Sequence, residues 1–183
     1  MTFLELVAAR QSVRAFEPDR RIPREILERC LEAARLAPSA CNSQPWSFIV
    51  LDDPAQVRAL ALESCTRPPH GMNKFVANAS ALVVVVTEKM KLAARLGAQF
   101  RGVQYSLIDI GIACQQLLLQ AAEDGVGSCY LGWFNDRAVR RFLDLSPTAK
   151  VDLMLALGYP VHPAPRPKNR HPLDKIRRYT QPG

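Results

Sequence analysis

The chain has 183 residues, 48% of them hydrophobic, a length and apolar content that suit one globular domain and exclude collagen, coiled coil and wholesale disorder. The net charge of +7 is unevenly placed: residues 1–149 are balanced to +2, while residues 150–183 supply the other +5 through seven basic side chains against Asp152 and Asp174. Five cysteines without a Cys-x-x-Cys pair, and a start, Met1-Thr2-Phe3-Leu4-Glu5, that lacks a basic segment leading into an apolar one, argue for a reducing, cytoplasmic setting and against a disulfide scaffold.

Thr2-Phe3-Leu4-Glu5 is a capping box, so a short helix begins the chain and stops near Arg10. After a polar stretch from Gln11 to Arg21, Ile22-Pro23 opens a second helix with Ile26, Leu27, Cys30, Leu31 and Ala34 on one face, ending before Pro38. Ser47 to Leu51 reads as a strand, and Asp53-Pro54 as the cap and first turn of a third helix running to Glu63. The proline-rich stretch 65–73 has no period and is expected to be a loop. Ala81 to Val86 is an unbroken apolar run, β-branched from Val83 to Val86, the pattern of a strand covered on both faces. The segment from Glu88 to Arg101 reads as brief and polar.

Val103 to Asp124 forms a long helix apolar on nearly every side and closed by Gly125. It suits a central or interface position, and Asp109 with four glutamines makes it a poor membrane span. A strand over Ser128–Phe134, a short helix over Asp136–Leu143 and a last strand over Val151–Leu157 follow. Five prolines between Pro160 and Pro172 then forbid helix or central strand, leaving an extended C-terminal arm over 160–183. Neither a repeat nor a linker divides the chain, so 1–183 is read as one domain.

Three polar clusters interrupt these elements. Arg10-Gln11-Ser12-Val13-Arg14, if extended, aims two guanidiniums and a hydroxyl one way, a geometry suited to phosphate; its plainer reading is a solvated helix end. The loop Ala37 to Trp46 carries Ser39, Asn42, Ser43 and Gln44 between prolines, donors able to hold the edge of a flat heteroaromatic ring; a helix stop and turn explains its prolines but not its amides. Lys168-Asn169-Arg170 places two cations on one side of the arm, open to a nucleic-acid backbone, a phosphorylated ligand or solvent alone. His70, His162 and His171 share no metal-ligand spacing, no nucleophile elbow or phosphate loop is present, and Asp109 is read as a buried acid bonded to backbone or a nearby cation in preference to a catalyst.

Taken together, Arg10-x-Ser12-x-Arg14, Pro38-Ser39 through Asn42-Ser43-Gln44-Pro45-Trp46, Leu131-Gly132-Trp133-Phe134, Leu157-Gly158-Tyr159-Pro160 and Lys168-x-Arg170 occur in the order and at about the spacing of the FMN-dependent nitroreductase family, which the chain resembles from end to end. The resemblance implies an α+β fold with a mixed central β-sheet, in an intertwined homodimer with two FMN molecules at the subunit interface. It implies that Arg10, Ser12, Lys168 and Arg170 hold the phosphate and ribityl chain, that Arg14 lies at the pyrimidine edge and tunes the flavin, and that Pro38, Ser39 and Asn42 reach it from the partner. Gly132 is placed near N5, Asn73 or Lys74 at a further flavin contact, and Cys41 in the acceptor pocket.

The implied activity is an NAD(P)H-dependent oxidoreductase. A reduced nicotinamide delivers hydride to flavin N5 and is replaced by an electron-poor acceptor, a nitroaromatic or quinone, in a ping-pong cycle. No protein acid or base is required, and neither a metal, a nucleic acid nor a membrane is expected as partner. The alternatives are a more specialised flavin oxidoreductase of the same fold and a flavin-binding protein with little turnover. The chain is short for the family over 88–101, where longer members carry a segment covering the substrate.

Overall fold

The computed structural model describes residues 1–68 and 70–180. Pro69 of the expected loop and residues 181–183 of the expected arm lie outside the described residues. Helix α1 (Phe3–Ala9) starts as the sequence requires, with Thr2 and Glu5 exchanging capping hydrogen bonds. Helix α2 (Arg24–Arg35) takes Pro23 as its N-cap, one position before the first turn, and buries Leu27, Cys30 and Ala34. Strand β1 (Trp46–Leu51) leads to α3 (Pro54–Ser64), whose Asp53 cap accepts from the Gln56 N–H. Strand β2 (Ala81–Thr87) is followed by α4 (Leu92–Arg101), α5 (Tyr105–Glu123), β3 (Gly127–Leu131), α6 (Asp136–Phe142), β4 (Lys150–Gly158) and the one-turn α7 (Leu173–Ile176).

The strands form one sheet in the order β1-β2-β4-β3. β2 lies inside it, and its residues alternate between two cores: Leu82, Val84 and Val86 face α3, α6 and the 71–78 turn, whereas Ala81, Val83 and Val85 face α2 and α5. A continuous apolar run is what such a two-sided strand needs, since each fully buried valine contributes roughly 1.5–3 kcal/mol.

Several expectations are corrected. All three ladders of the sheet are antiparallel, so the mixed character implied by the resemblance reduces, within this chain, to a parallel bridge between Ser12 and Ser128. The strand expected over Ser128–Phe134 ends at Leu131, the last residue paired with β4, because residues 132–134 must turn to place Asn135 as the N-cap of α6. The expected loop 65–73 runs into a 3-10 helix, Gly71–Asn78, which is kinked at Asn73 and buries Val76. The segment 88–101 is mostly helix: Leu92, Leu96 and Phe100 recur at helical spacing but are exposed, and scattered lysines and arginines hide the pattern. The arm carries the single helical turn α7.

Candidate functional site

The segment after α1 crosses the end of the sheet in extended form. Ser12 bridges Ser128, the Val13 N–H donates to the Ser128 carbonyl at 2.8 Å, and Phe16 bridges Pro160. Val13 and Phe16 point into the core. Two glycines permit this approach: a Cβ at Gly127 would lie 2.8 Å from Val13 Cγ2, and one at Gly158 would lie 2.8 Å from the Phe16 ring. With Val13 turned inward, Arg10, Ser12 and Arg14 line one cavity of ≈330 Å³, together with Gln11 between them.

The arm returns along this segment and completes the cavity with Arg166, Lys168 and Arg170. Lys168 Nζ donates to the carbonyls of Val7 at 2.8 Å and Arg10 at 2.5 Å, so it caps the last turn of α1 as well as facing the cavity. Partial desolvation, then repulsion by Arg10 and Arg170, holds its ammonium below the usual lysine range. Arg166 donates to Gln11 Oε1 and, at 2.7 Å, to the Ser12 carbonyl. Neither Gln11 nor Arg166 was anticipated from sequence; the only signal is Arg166 standing two residues before the Lys168-x-Arg170 pair. Five cations thus surround one cavity, and among the described residues none of them forms an ion pair. Mutual repulsion makes such a cluster unfavourable without an anion.

The loop between α2 and β1 is built differently. Cys41, Asn42 and Gln44 have φ of 52°, 50° and 47°, left-handed conformations that cost non-glycine residues about 1–3 kcal/mol each. The loop holds them through its own polar groups: Ser39 Oγ accepts from the Gln44 N–H at 2.9 Å, and Gln44 Nε2 donates to Asn42 Oδ1 at 3.1 Å. Asp109 of α5 accepts from the Ala40 N–H at 3.1 Å, so this buried acid anchors the loop, consistent with its structural reading. Pro38, Ser39, Cys41 and Asn42 line no part of the cation cavity of their own chain.

A third region joins Asn73 to the turn after β3. Asn73 Nδ2 donates to the Trp133 carbonyl at 2.8 Å, and the Trp133 ring stands 5.4 Å from that of His70. Lys74 is exposed. A Cβ at Gly132 would meet nothing within 4 Å, so no group of this chain requires glycine there. These residues also lie outside the cation cavity.

The remaining chemistry is structural. Burial pushes the Cys30 and Cys114 thiols up to about 12 and raises Cys65 and Cys129 as well, so all four stay protonated and unreactive at neutral pH. Among the described residues no cluster of His, Cys, Asp and Glu is placed to hold a metal ion, and no helix is long and apolar enough to cross a membrane.

Comparison with known proteins places this geometry. The chain is 30% identical over 193 residues to an NADH dehydrogenase of Thermus thermophilus, covering 91% of this chain and 90% of that protein. It superposes on a nitroreductase family protein of Clostridium difficile 630 with a TM-score of 0.79 at 27% identity, over 99% of each chain. A structure named FMN-dependent nitroreductase, from Clostridium difficile R20291, matches with a TM-score of 0.75 at 25% identity, over 98% of this chain and 99% of that one. The model of the nitroreductase family matches residues 7–159, a span running from the end of α1 through β4, and the chain therefore belongs to the nitroreductase family.

Proposed function

We propose that the protein is an FMN-dependent oxidoreductase that carries hydride from NAD(P)H through flavin N5 to an electron-poor acceptor, a nitroaromatic or quinone, by a ping-pong mechanism. The observation that carries this reading is the cavity in which Arg10, Arg14, Arg166, Lys168 and Arg170 converge without a carboxylate partner. Guanidinium groups bind phosphate through paired N–H donors, and a dianionic phosphomonoester relieves their repulsion. The names of the relatives, an NADH dehydrogenase and an FMN-dependent nitroreductase, support the same nucleotide chemistry.

The residues present fit FMN. Arg10, Arg166, Lys168 and Arg170 would hold its phosphate, and Ser12 its ribityl chain. Arg14 is the cation for the pyrimidine edge, where positive charge favours the reduced ring. Bound FMN supplies the hydride relay itself. The protein's part is to bind, to orient and to leave one ring face open; the free space over Gly132 is consistent with such an approach. Asn73, spent on the Trp133 carbonyl, would shape that region by positioning the turn.

Within one chain the Pro38–Asn42 loop stands outside the cation cavity, and a homodimer would supply it from a second copy. Two features support dimerisation: Leu107, Ile108 and Ile112 are exposed on α5 at 42%, 51% and 38%, and β1 is a sheet edge. A second chain laid parallel on that edge would make the sheet mixed, as the resemblance implies. Five free thiols, four of them buried, support a reducing compartment such as the cytoplasm.

The test is spectroscopic. Purified protein should show flavin absorption, bleach on anaerobic addition of NADH or NADPH, and recover on addition of a quinone or nitroaromatic. Flavin bands that never bleach would make the protein a flavin binder, and failure to bind FMN at all would overturn the reading.

A further inference from the structure

The arm that completes the cation cavity is held in an unusual way. Residues 161–170 are all exposed, so the arm docks without placing a side chain in the core. What ties it to the N-terminal segment, among the described residues, is a backbone bond from the Val161 N–H to the Ala15 carbonyl and six side-chain bonds across some 155 positions of sequence, half of which pass through Gln11. Its Oε1 accepts from the Arg166 backbone N–H at 3.2 Å and from Arg166 Nε at 3.0 Å, while its Nε2 donates to the Ala164 carbonyl at 3.1 Å. Arg166 is fixed at its other end by the Ser12 carbonyl at 2.7 Å. The Gln11 amide is thereby nearly used up, since both acceptor positions and one of two N–H donors are engaged. It also lines both the cation cavity and a neighbouring apolar cavity of ≈220 Å³ that includes Arg14, His162 and Arg166, so it stands in the wall between them.

We propose that Gln11 is a positioning residue for the anion site, acting through Arg166: its amide clasps the C-terminal arm to the N-terminal segment and so aims Arg166, Lys168 and Arg170 at the point already faced by Arg10 and Arg14. Without the clasp, repulsion among five cations opposes docking of an arm whose residues 161–170 are all exposed, leaving the Arg166, Lys168 and Val161 bonds to the N-terminal segment to hold it. The effect falls on the phosphate end of the ligand, because Arg166, the cation that the clasp holds, lines the cation cavity. The proposal rests on the assignment of this cavity to the FMN phosphate, and the test separates the two.

Stripped protein and its Gln11→Ala and Arg166→Ala variants are titrated with FMN, with riboflavin and with inorganic pyrophosphate, after circular dichroism confirms folding. Gln11→Ala should weaken FMN and pyrophosphate about tenfold, the loss expected from misplacing one or two charged hydrogen bonds, while riboflavin changes by less than about twofold. In the Arg166→Ala background the Gln11 substitution should add less than about twofold, because both act through one contact. Equal losses for FMN and riboflavin, or full additivity of the two substitutions, would overturn the proposal. If neither variant folds, the pair serves the fold and not the site, and the proposal is likewise overturned. Wild-type protein that binds pyrophosphate but not FMN would refute the flavin reading and leave the pyrophosphate arm to decide the role of Gln11.

Discussion

Cys41 shows what a single residue can and cannot carry. Exposed, at φ 52° beside Asn42 and near Gln44 in the same conformation, it occupies a loop strained in the manner of binding sites, yet among the described residues no basic or histidine side chain bonds its thiol. Hydride transfer through a flavin needs no nucleophile, so Cys41→Ser should leave the rate of flavin reduction by NAD(P)H within about threefold, roughly 0.65 kcal/mol of barrier, while altering preference among acceptors. Stopped-flow bleaching and an acceptor panel measure the two effects, and a hundredfold slower reduction would assign the thiol a chemical role. Arg170 differs from its neighbours in the cavity: among the described residues its side chain bonds only the adjacent Asn169 carbonyl, at 2.7 Å, and holds no other element in place. Arg170→Ala should therefore weaken FMN by about 1.5–3 kcal/mol without lowering the melting temperature of the stripped protein. Lys168 offers the contrast, because its removal also uncaps α1.

Among the elements, those with a local cause were legible in the chain: the Thr2–Glu5 box of α1, the Asp53 cap of α3, the buried run of β2 and the left-handed Gly125 after α5. Helix α4 was not, because its leucines and phenylalanine face outward among basic residues and lack the buried stripe that marks a helix packed on its own core. The crossing of residues 10–16 over the sheet end was half legible: alternation was visible, but its dependence on Gly127 and Gly158 was not. That dependence is testable. Gly158→Ala would drive a Cβ to 2.8 Å from the buried Phe16 ring, an overpacking expected to cost about 1–3 kcal/mol. Because Phe16 anchors the same segment that carries Arg10, Ser12 and Arg14, FMN affinity should fall with stability, as measured by chemical denaturation and flavin titration. Wild-type stability in this variant would show that the crossing tolerates a shift.

At the scale of the molecule, α5 buries Ile110, Ala113, Cys114, Leu117 and Leu118 against the sheet while leaving Leu107, Ile108 and Ile112 in water. Apolar residues on both sides of a helix point to a second surface to be covered. A dimer formed there should unfold with a midpoint that rises with protein concentration, and Ile108→Asp should yield a monomer that no longer retains FMN. Sedimentation of a flavin-loaded wild-type monomer at micromolar concentration would remove the interface and, with it, the delivery of Pro38, Ser39 and Asn42 from a partner.

The amino-acid sequence by itself determined the helices with caps, the strand buried on both faces and the clusters of cations and amides, because each rests on neighbours a few positions apart and on the periods of helix and strand. It also determined membership of the family, through motifs whose order survives without contacts. The tertiary structure decided which of those clusters meet. It brought Arg10, Ser12 and Arg14 to Lys168 and Arg170, added Arg166 and Gln11 from positions with no local signature, and kept the Pro38–Asn42 loop and the Asn73–Gly132 region apart from them in the single chain. The physical reason is separation: bonds closed between residues some 155 positions apart depend on how the whole sheet and its flanking helices pack, and no short-range pattern records them.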